Sequence, residues 1–369
     1  MTFDSIITIA AFCCYLIFML CIGMYFVGKN RTTNEYFLGG RQLGSWVTGL
    51  SAQASDMSGW LLMGLPGAAY LSGISAGWIA IGLAIGTYLN WLFVAKRLRQ
   101  YTKTADDAIT LPQFFKNRFH DESGWISVIA AVFILVFFLF YTASGFVSCA
   151  KLFSSVFGIP YLVSLVIGAG VVISYTFAGG FFAVCWTDFF QGILMFFCVL
   201  AVPTIAIFSM GGPTEFFSQV EAFNPNFLNM FVDGATGVPY TAMGIISLLA
   251  WGLGYFGQPH ILVRFMGISS PQAIKKSRRI ATIWVLISLT AAIMIGISGR
   301  MFLGDSIVLT DGNQETIYIS MVAKIFPVFI AGIFLSAILA AIMSTADSQL
   351  LVPASALTED FYHNKVHKT

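Results

Sequence analysis

The sequence predicts an all-α polytopic membrane protein, and three observations carry that reading. Of the 369 residues, 57% are hydrophobic and 10% charged, against about 25% charge in a soluble domain. A chain of this length then has too few polar groups to cover a water-facing surface. Next, the apolar residues gather into nine runs of the roughly 20 residues that one crossing needs. They lie at 5–27, 43–66, 75–95, 125–150, 157–178, 186–210, 239–263, 279–299 and 326–352, here segments 1 to 9. Finally, the loops between these runs sort by charge. One side holds sixteen basic residues: Lys29, Arg31, Arg41, Lys96, Arg97, Arg99, Lys103, Lys116, Arg118, Arg264, Lys275, Lys276, Arg278, Arg279, Lys365 and Lys368. The other holds three: Lys151, Arg300 and Lys324. The positive-inside bias places the N-terminus outside and, after an odd number of crossings, the C-terminus in the cytoplasm.

The net charge of +2, with no basic stripe, gives no footprint for nucleic acid. Segment 1 follows Asp4 with no basic region before it and continues to Val27, which predicts a retained span rather than a cleaved signal. The six cysteines (Cys13, Cys14, Cys21, Cys149, Cys185, Cys198) lie in or beside apolar runs without metal or disulfide spacing and read as small buried hydrophobes.

Segment 2 carries Asp56 at its middle, among Ser55, Ser58 and Gly59. An intramembrane carboxylate is costly unless paired and marks a functional site by default; the bland alternative is a structural hydrogen bond to a neighbouring helix. Gly49, Gly59, Gly64, Pro66 and Gly67 weaken this helix, and an interrupted helix survives at membrane depth only where protein or a cavity surrounds it. Its freed carbonyl oxygens are ligands for a hard cation such as Na⁺. The inner loop 97–124, with Leu111, Pro112, Phe114 and Phe115 between charges, has the composition of a short interfacial helix. Segment 6 opens on Trp186-Thr-Asp188 with Gln191 a turn later, so Asp188 reads either as a helix-start dipole partner or as an ion relay toward the cytoplasm. The outer loops 211–238 and 300–325 have ordinary loop composition.

Segment 7 holds a second interruption, Trp251-Gly-Leu-Gly-Tyr-Phe-Gly-Gln-Pro-His260. Gly252, Gly254 and Gly257 match the dinucleotide fingerprint by chance, since that motif needs a strand before it and a helix opening into water. Gly73-Ile-Ser-Ala-Gly77 likewise matches a nucleophile elbow without strand or partners, and His363 and His367 have metal spacing in a polar tail without a third ligand. Segments 2 and 7 are five crossings apart and so run in opposite directions. Paired Gly/Pro-interrupted segments in two inverted halves point to the midplane site of a secondary transporter. Segment 9 adds a face of small residues, Ser336, Ala340, Ser344 and Ser348 beside Ala337, Ala341 and Thr345, which is a close-packing seam or a wall of an ion site. Asp347 lies near its cytoplasmic end.

The stretches Ala54–Gly67, Trp251–Ile261 and Leu335–Thr345, with Leu38-Gly-Gly-Arg41 and Trp186-Thr-Asp188, resemble the sodium:solute symporter family, nearest its bacterial proline-transporting members, over essentially the whole chain. The resemblance implies a single transmembrane transporter domain over 1–369 with a core of two inverted five-helix repeats. An extra N-terminal helix (5–27) would precede a first repeat (43–210) and the first three helices of a second (239–352). The resemblance further implies about four more spans, so the second repeat would be incomplete here, truncated after about nine helices. The implied activity is Na⁺-coupled import of L-proline across the plasma membrane, with no cofactor beyond the coupling ion and no enzymatic reaction. By matching motif, Na⁺ would be held by backbone oxygens of Ala54, Met57 and Ala341 and hydroxyls of Ser344 and Thr345. Asp56, Asp188 and Asp347 would serve coupling or relay. Proline would lie near Ser58, Gly59, Trp60, Tyr141, Trp251, Tyr255, Gln258 and Pro259. Another small solute as cargo, or a non-transporting sensory module, are the alternatives; the sequence leaves oligomeric state open.

Overall fold

A computed structural model describes residues 3–27, 32–176, 180–304 and 313–359. Lys29, Arg31, Asp311, His363, Lys365, His367, Lys368 and the last residues of segment 5 lie outside that range. The described residues form sixteen α-helices in chain order. They are α1 Phe3–Val27, α2 Thr33–Leu38, α3 Ser45–Met57, α4 Gly64–Ser72, α5 Gly77–Leu89, α6 Ala95–Thr104, α7 Leu111–Arg118 and α8 Trp125–Phe157. Then follow α9 Tyr161–Thr176, α10 Gly180–Ser209, α11 Pro213–Phe223, α12 Ala242–Leu249, α13 Pro259–Gly267, α14 Ile274–Leu303, α15 Ile317–Ile325 and α16 Val328–Ser355. Among the described residues, six helical runs are long and apolar enough to cross a membrane: Asp4–Phe26, Gly59–Thr104, Trp125–Phe157, Gly180–Ser209, Ile274–Leu303 and Val328–Glu359. Large apolar side chains stay on the outside of the bundle, such as Leu139 and Phe140 on α8 and Leu162 and Val166 on α9, as lipid rather than water would require.

Local chemistry sets several boundaries. Thr32 and Glu35 form a reciprocal capping box that starts α2, and Gly39 ends it at φ 61°. Thr110 accepts the Gln113 N–H at 3.1 Å to start α7, with Pro112 in its first turn, so the loop 97–124 does contain a short helix. The Asp121 carboxylate accepts the Ser123 hydroxyl and, at 2.8 Å, the Ile126 N–H at the start of α8. These bonds, the hydroxyl first, hold its pKa below the usual carboxylate value.

The packing is centred on α16, whose residues 335–349 are all buried and which touches α10, α1, α8 and α3. Its small side chains admit these neighbours closely. The interruption of segment 7 also packs tightly on segment 3. A Cβ on Gly86 of α5 would lie 2.1 Å from the Gly252 carbonyl oxygen, and one on Gly252 would lie 2.0 Å from that of Gly82. Backbone therefore lies directly on backbone between α5 and the 3₁₀ segment that joins α12 to α13.

The loops that sort together by charge touch one another. At the basic end, Arg41 donates to the carbonyls of Met266 (2.8 Å) and Ala108 (2.9 Å) and pairs with Asp107; Arg99 donates to Ile268 O at 2.7 Å. At the other end Lys151 pairs with Glu315, and Arg300 donates to the Tyr70 hydroxyl at 2.6 Å. The structure corrects four expectations. The loop 211–238 contains α11, started by Pro213 and anchored by the buried pair Phe216 and Val220 at helical spacing. The loop 300–325 contains α15, which buries Ile317, Tyr318, Met321 and Val322. Cys13, Cys14 and Cys21 are exposed on α1 while Cys149, Cys185 and Cys198 are buried, because a lipid-facing side is as apolar as the core. Arg264 is no loop cation: α13 continues past it and buries it.

The glycine contact makes a direct prediction. Gly86→Ala forces a methyl into backbone and should cost about 1–3 kcal/mol, read as a lower melting temperature in detergent. Gly254→Ala, where nothing lies within 4 Å, should leave it unchanged. Equal effects would contradict the packing described.

Candidate ion and solute site

Helix α3 stops at Met57 because Ser58 takes φ 50°, ψ −169°. That conformation costs a serine about 1–3 kcal/mol and is held in part by its hydroxyl, which accepts the Trp60 N–H at 3.2 Å. The last carbonyls of α3 have no following turn to donate to them. Opposite them stands α16. The Ser344 hydroxyl lies 2.8 Å from Ala54 O and 3.2 Å from Ala341 O, and the Thr345 hydroxyl donates to Ala341 O at 3.0 Å. Ala54, Met57, Ala341, Ser344 and Thr345 are all buried. The donor set is carbonyl and hydroxyl oxygen, the chemistry of a hard cation. The two hydroxyl protons now rest on carbonyls, and a bound cation would turn both hydroxyl lone pairs inward.

Beside this cluster a cavity of about 270 Å³ is lined by Asp56, Met57, Ser58, Trp60, Leu83, Tyr141, Ser144, Trp251 and Gln258. That is slightly below the ~300–1,000 Å³ of pockets for drug-sized ligands and suits a smaller solute. Trp60 and Trp251, one from each interruption, stack at 5.4 Å between ring centroids. Tyr141 of α8 donates to Asp56 O at 3.1 Å. Three residues expected at the solute do not line this cavity. Tyr255 is fully buried behind it and donates its hydroxyl to the Asp56 carboxylate, while its own carbonyl accepts Asn90 Nδ2 at 2.7 Å. Gly59 faces Ser148 and Ile342 instead, closely enough that a Cβ would meet Ser148 at 3.1 Å. Pro259 is the first residue of α13, where its missing N–H leaves no helix hydrogen bond unmade. Asp56 thus ties the end of α3 to the interruption after α12, and it makes no bond to Ser344 or Thr345 among the described residues.

Asp188 and Asp347 gather elsewhere. Asp188 lies in the third turn of α10, which begins at Gly180, so it is not a helix-start dipole partner. Its Oδ2 accepts Ser51 Oγ and the Arg264 guanidinium, both at 2.6 Å. Arg264 also donates to Ser51 Oγ (2.7 Å), Ser348 Oγ (2.6 Å) and His260 O (2.5 Å). Ser348 in turn donates to Asp347 at 3.1 Å. One buried guanidinium therefore pairs with Asp188, reaches Asp347 through Ser348, and joins α3, α10, α13 and α16. Asp188 Oδ1 and Asp347 Oδ2 have no hydrogen-bond partner among the described residues.

Residues 36–369 match the model of the sodium:solute symporter family. The chain belongs to that family. "Sodium/proline symporter 2" of Staphylococcus saprophyticus is 50% identical to it over 350 residues, 94% of this chain and 67% of the relative. The "sodium/proline symporter" of Staphylococcus aureus is 49% identical over 351 residues, with the same coverage. A solved structure described as the substrate-bound outward-open state of a Na⁺-coupled sialic acid symporter superposes with TM-score 0.80, covering 98% of this chain and 76% of that one. At 23% identity it shows that the fold is shared. This member of the symporter family is accordingly a multi-pass membrane transporter and not an enzyme.

In this symporter-family chain, sequence reasoning had missed Arg264, Ser51 and Ser348 as partners of the acids. The available signal was an arginine four residues after His260 in a segment just interrupted by Gly and Pro, where a helix restarted by Pro259 would carry it inward. Removing one partner of a buried ion pair costs about 3–5 kcal/mol because the other is left uncompensated. Arg264→Met should therefore destabilise the protein by about that amount in detergent denaturation. Adding Asp188→Asn should recover part of the loss, with a coupling of order 1–3 kcal/mol. Strictly additive effects would show that the pair does not hold the four helices together.

Proposed function

We propose that this protein imports L-proline together with Na⁺ by alternating access, across the plasma membrane. Relatives of about 50% identity that bear the name sodium/proline symporter support the cargo. The observation that carries the mechanism is the oxygen cluster of Ala54, Ala341, Ser344 and Thr345 at the broken end of α3, directly next to the cavity. Na⁺ is taken as substrate by those oxygens and Met57 O. Binding would order the end of α3, whose next residues, Ser58 and Trp60, line the cavity. Ion occupancy then favours the cavity shape that binds proline, with Trp60, Trp251 and Tyr141 against the apolar ring and Ser58 and Gln258 near the zwitterion. Asp56 acts through Tyr255, transmitting the state of one broken helix to the other. Asp188 and Asp347, with Arg264, form the inner station of the ion path.

The architecture proposed for this motion has nine crossings, N-terminus outside, with residues 43–210 as a first five-helix repeat and 239–352 as the opening helices of an inverted second one. Residues 5–27 stand outside both. One Na⁺ with a neutral zwitterion moves one charge, so the membrane potential supplies about 2.3 kcal/mol per 100 mV. A tenfold Na⁺ gradient adds about 1.4 kcal/mol, enough together for a roughly several-hundred-fold proline gradient.

In proteoliposomes, replacing Na⁺ by choline should abolish labelled proline uptake. Ser344→Ala/Thr345→Ala should raise the Na⁺ concentration for half-maximal uptake tenfold or more. Trp251→Ala should instead raise the proline KM by a similar factor with the Na⁺ requirement preserved. Uptake indifferent to choline replacement refutes the coupling, and a double variant with unaltered Na⁺ dependence refutes the ion site.

A further inference from the structure

We propose that the protein carries a dedicated site for an anionic phospholipid at its basic end, in the groove between α3, α10 and α14. The groove is a lipid-facing cavity of about 240 Å³ with Trp46, Leu50, Ile193, Phe197, Ile280 and Ile283 among its walls. Its lining is apolar, and the indole N–H of Trp284 is turned away, donating to Gly192 O at 3.1 Å. Such a slot accepts an acyl chain and offers nothing to a polar ligand.

The headgroup is specified by what stands at its mouth. Lys276 precedes Ile280 by four residues and Ile283 by seven on α14, so all three share one helix face. Lys275 and Arg279 flank it, and the three cations are exposed. No acidic residue occurs between Asp233 and Asp305, and none of the three pairs with a carboxylate among the described residues. Ser45 and Ser277 pin the start of α3 to this turn, Ser45 Oγ to Ala273 O at 3.2 Å and Ser277 Oγ to Ser45 O at 2.9 Å. That places Trp46, half exposed, at the level where indole rings sit between headgroups and tails. Uncompensated cations above an apolar slot match a lipid whose phosphate bears a net negative charge, and a zwitterionic lipid would leave them unneutralised. The occupant would wedge against the half-helix that ends at the ion site, so it would also bias the movement of α3.

Native mass spectrometry of the purified chain, titrated with phosphatidylglycerol or phosphatidylcholine of the same acyl chains, tests this. The first phosphatidylglycerol should bind tenfold or more tightly than phosphatidylcholine. Lys275→Gln/Lys276→Gln/Arg279→Gln should reduce that preference below threefold, whereas Lys96→Gln/Arg97→Gln/Lys103→Gln, on exposed cations of α6, should leave it. Ile283→Trp, which fills the groove, should weaken both lipids about fivefold or more. The proposal is overturned if the α14 variant keeps its preference, if the α6 variant loses it equally, if Ile283→Trp changes neither affinity, or if glycerol 1-phosphate competes as well as the lipid.

Discussion

The structure depends on satisfying a helix that stops inside the helical bundle. Ending α3 at Met57 leaves buried backbone oxygens, and Asp56 adds a buried carboxylate, groups that are costly unless hydrogen-bonded. Each is answered by a different element. The hydroxyls of α16 meet the carbonyl of Ala54, and Tyr255 from the second interruption meets the carboxylate of Asp56. The remaining architecture follows from bringing those partners within reach. Small residues along α16 let it lie against α3, α10, α1 and α8 at once. Glycines 82, 86 and 252 let α5 and the second interruption touch backbone to backbone, which carries Tyr255 and Trp251 to the end of α3.

These contacts divide the polar interior into two stations joined by α3. Near its C-terminal end are the oxygen cluster and the cavity. Two turns earlier, Ser51 shares Asp188 with Arg264, whose guanidinium also reaches Ser348 of α16. A single buried cation between two carboxylates is electrostatically under-supplied, since each acid retains an oxygen without a partner among the described residues. A buried pair of this kind adds little net stability but is costly to break. It suits an element that holds one arrangement of helices until a competing cation or a rigid-body shift offers another.

Much of this was legible in the amino-acid sequence, and what was not has physical causes. Apolar composition marked the chain as a helical membrane protein, and Gly59, Gly64, Pro66, Gly252, Gly257 and Pro259 marked both interruptions, because these residues act locally. Ser344 and Thr345 on a small-residue face pointed to α16 as the wall of α3. The Asp188–Arg264 pair was hidden because its members lie 76 residues apart on different segments, and an arginine at a span end looks the same whether it leaves for water or turns inward. Tyr255 looked like a cavity aromatic until its neighbours placed it behind Asp56. Periodicity could not separate lipid-facing from core cysteines on α1, since both environments are apolar. Helix α11 was obscured by the turn-like Gly211-Gly-Pro213 that in fact starts it.

The central claim is that the Asp56–Tyr255 link couples ion occupancy at α3 and α16 to solute affinity in the cavity. Coupling of this kind is a free energy measurable from either ligand. The direct measurement is the equilibrium affinity of the purified protein for labelled proline, with saturating Na⁺ and with choline in its place, in the native sequence and in Tyr255→Phe. The account predicts that Na⁺ tightens proline binding tenfold or more in the native protein and less than threefold in the variant. An identical Na⁺ effect in both would contradict it.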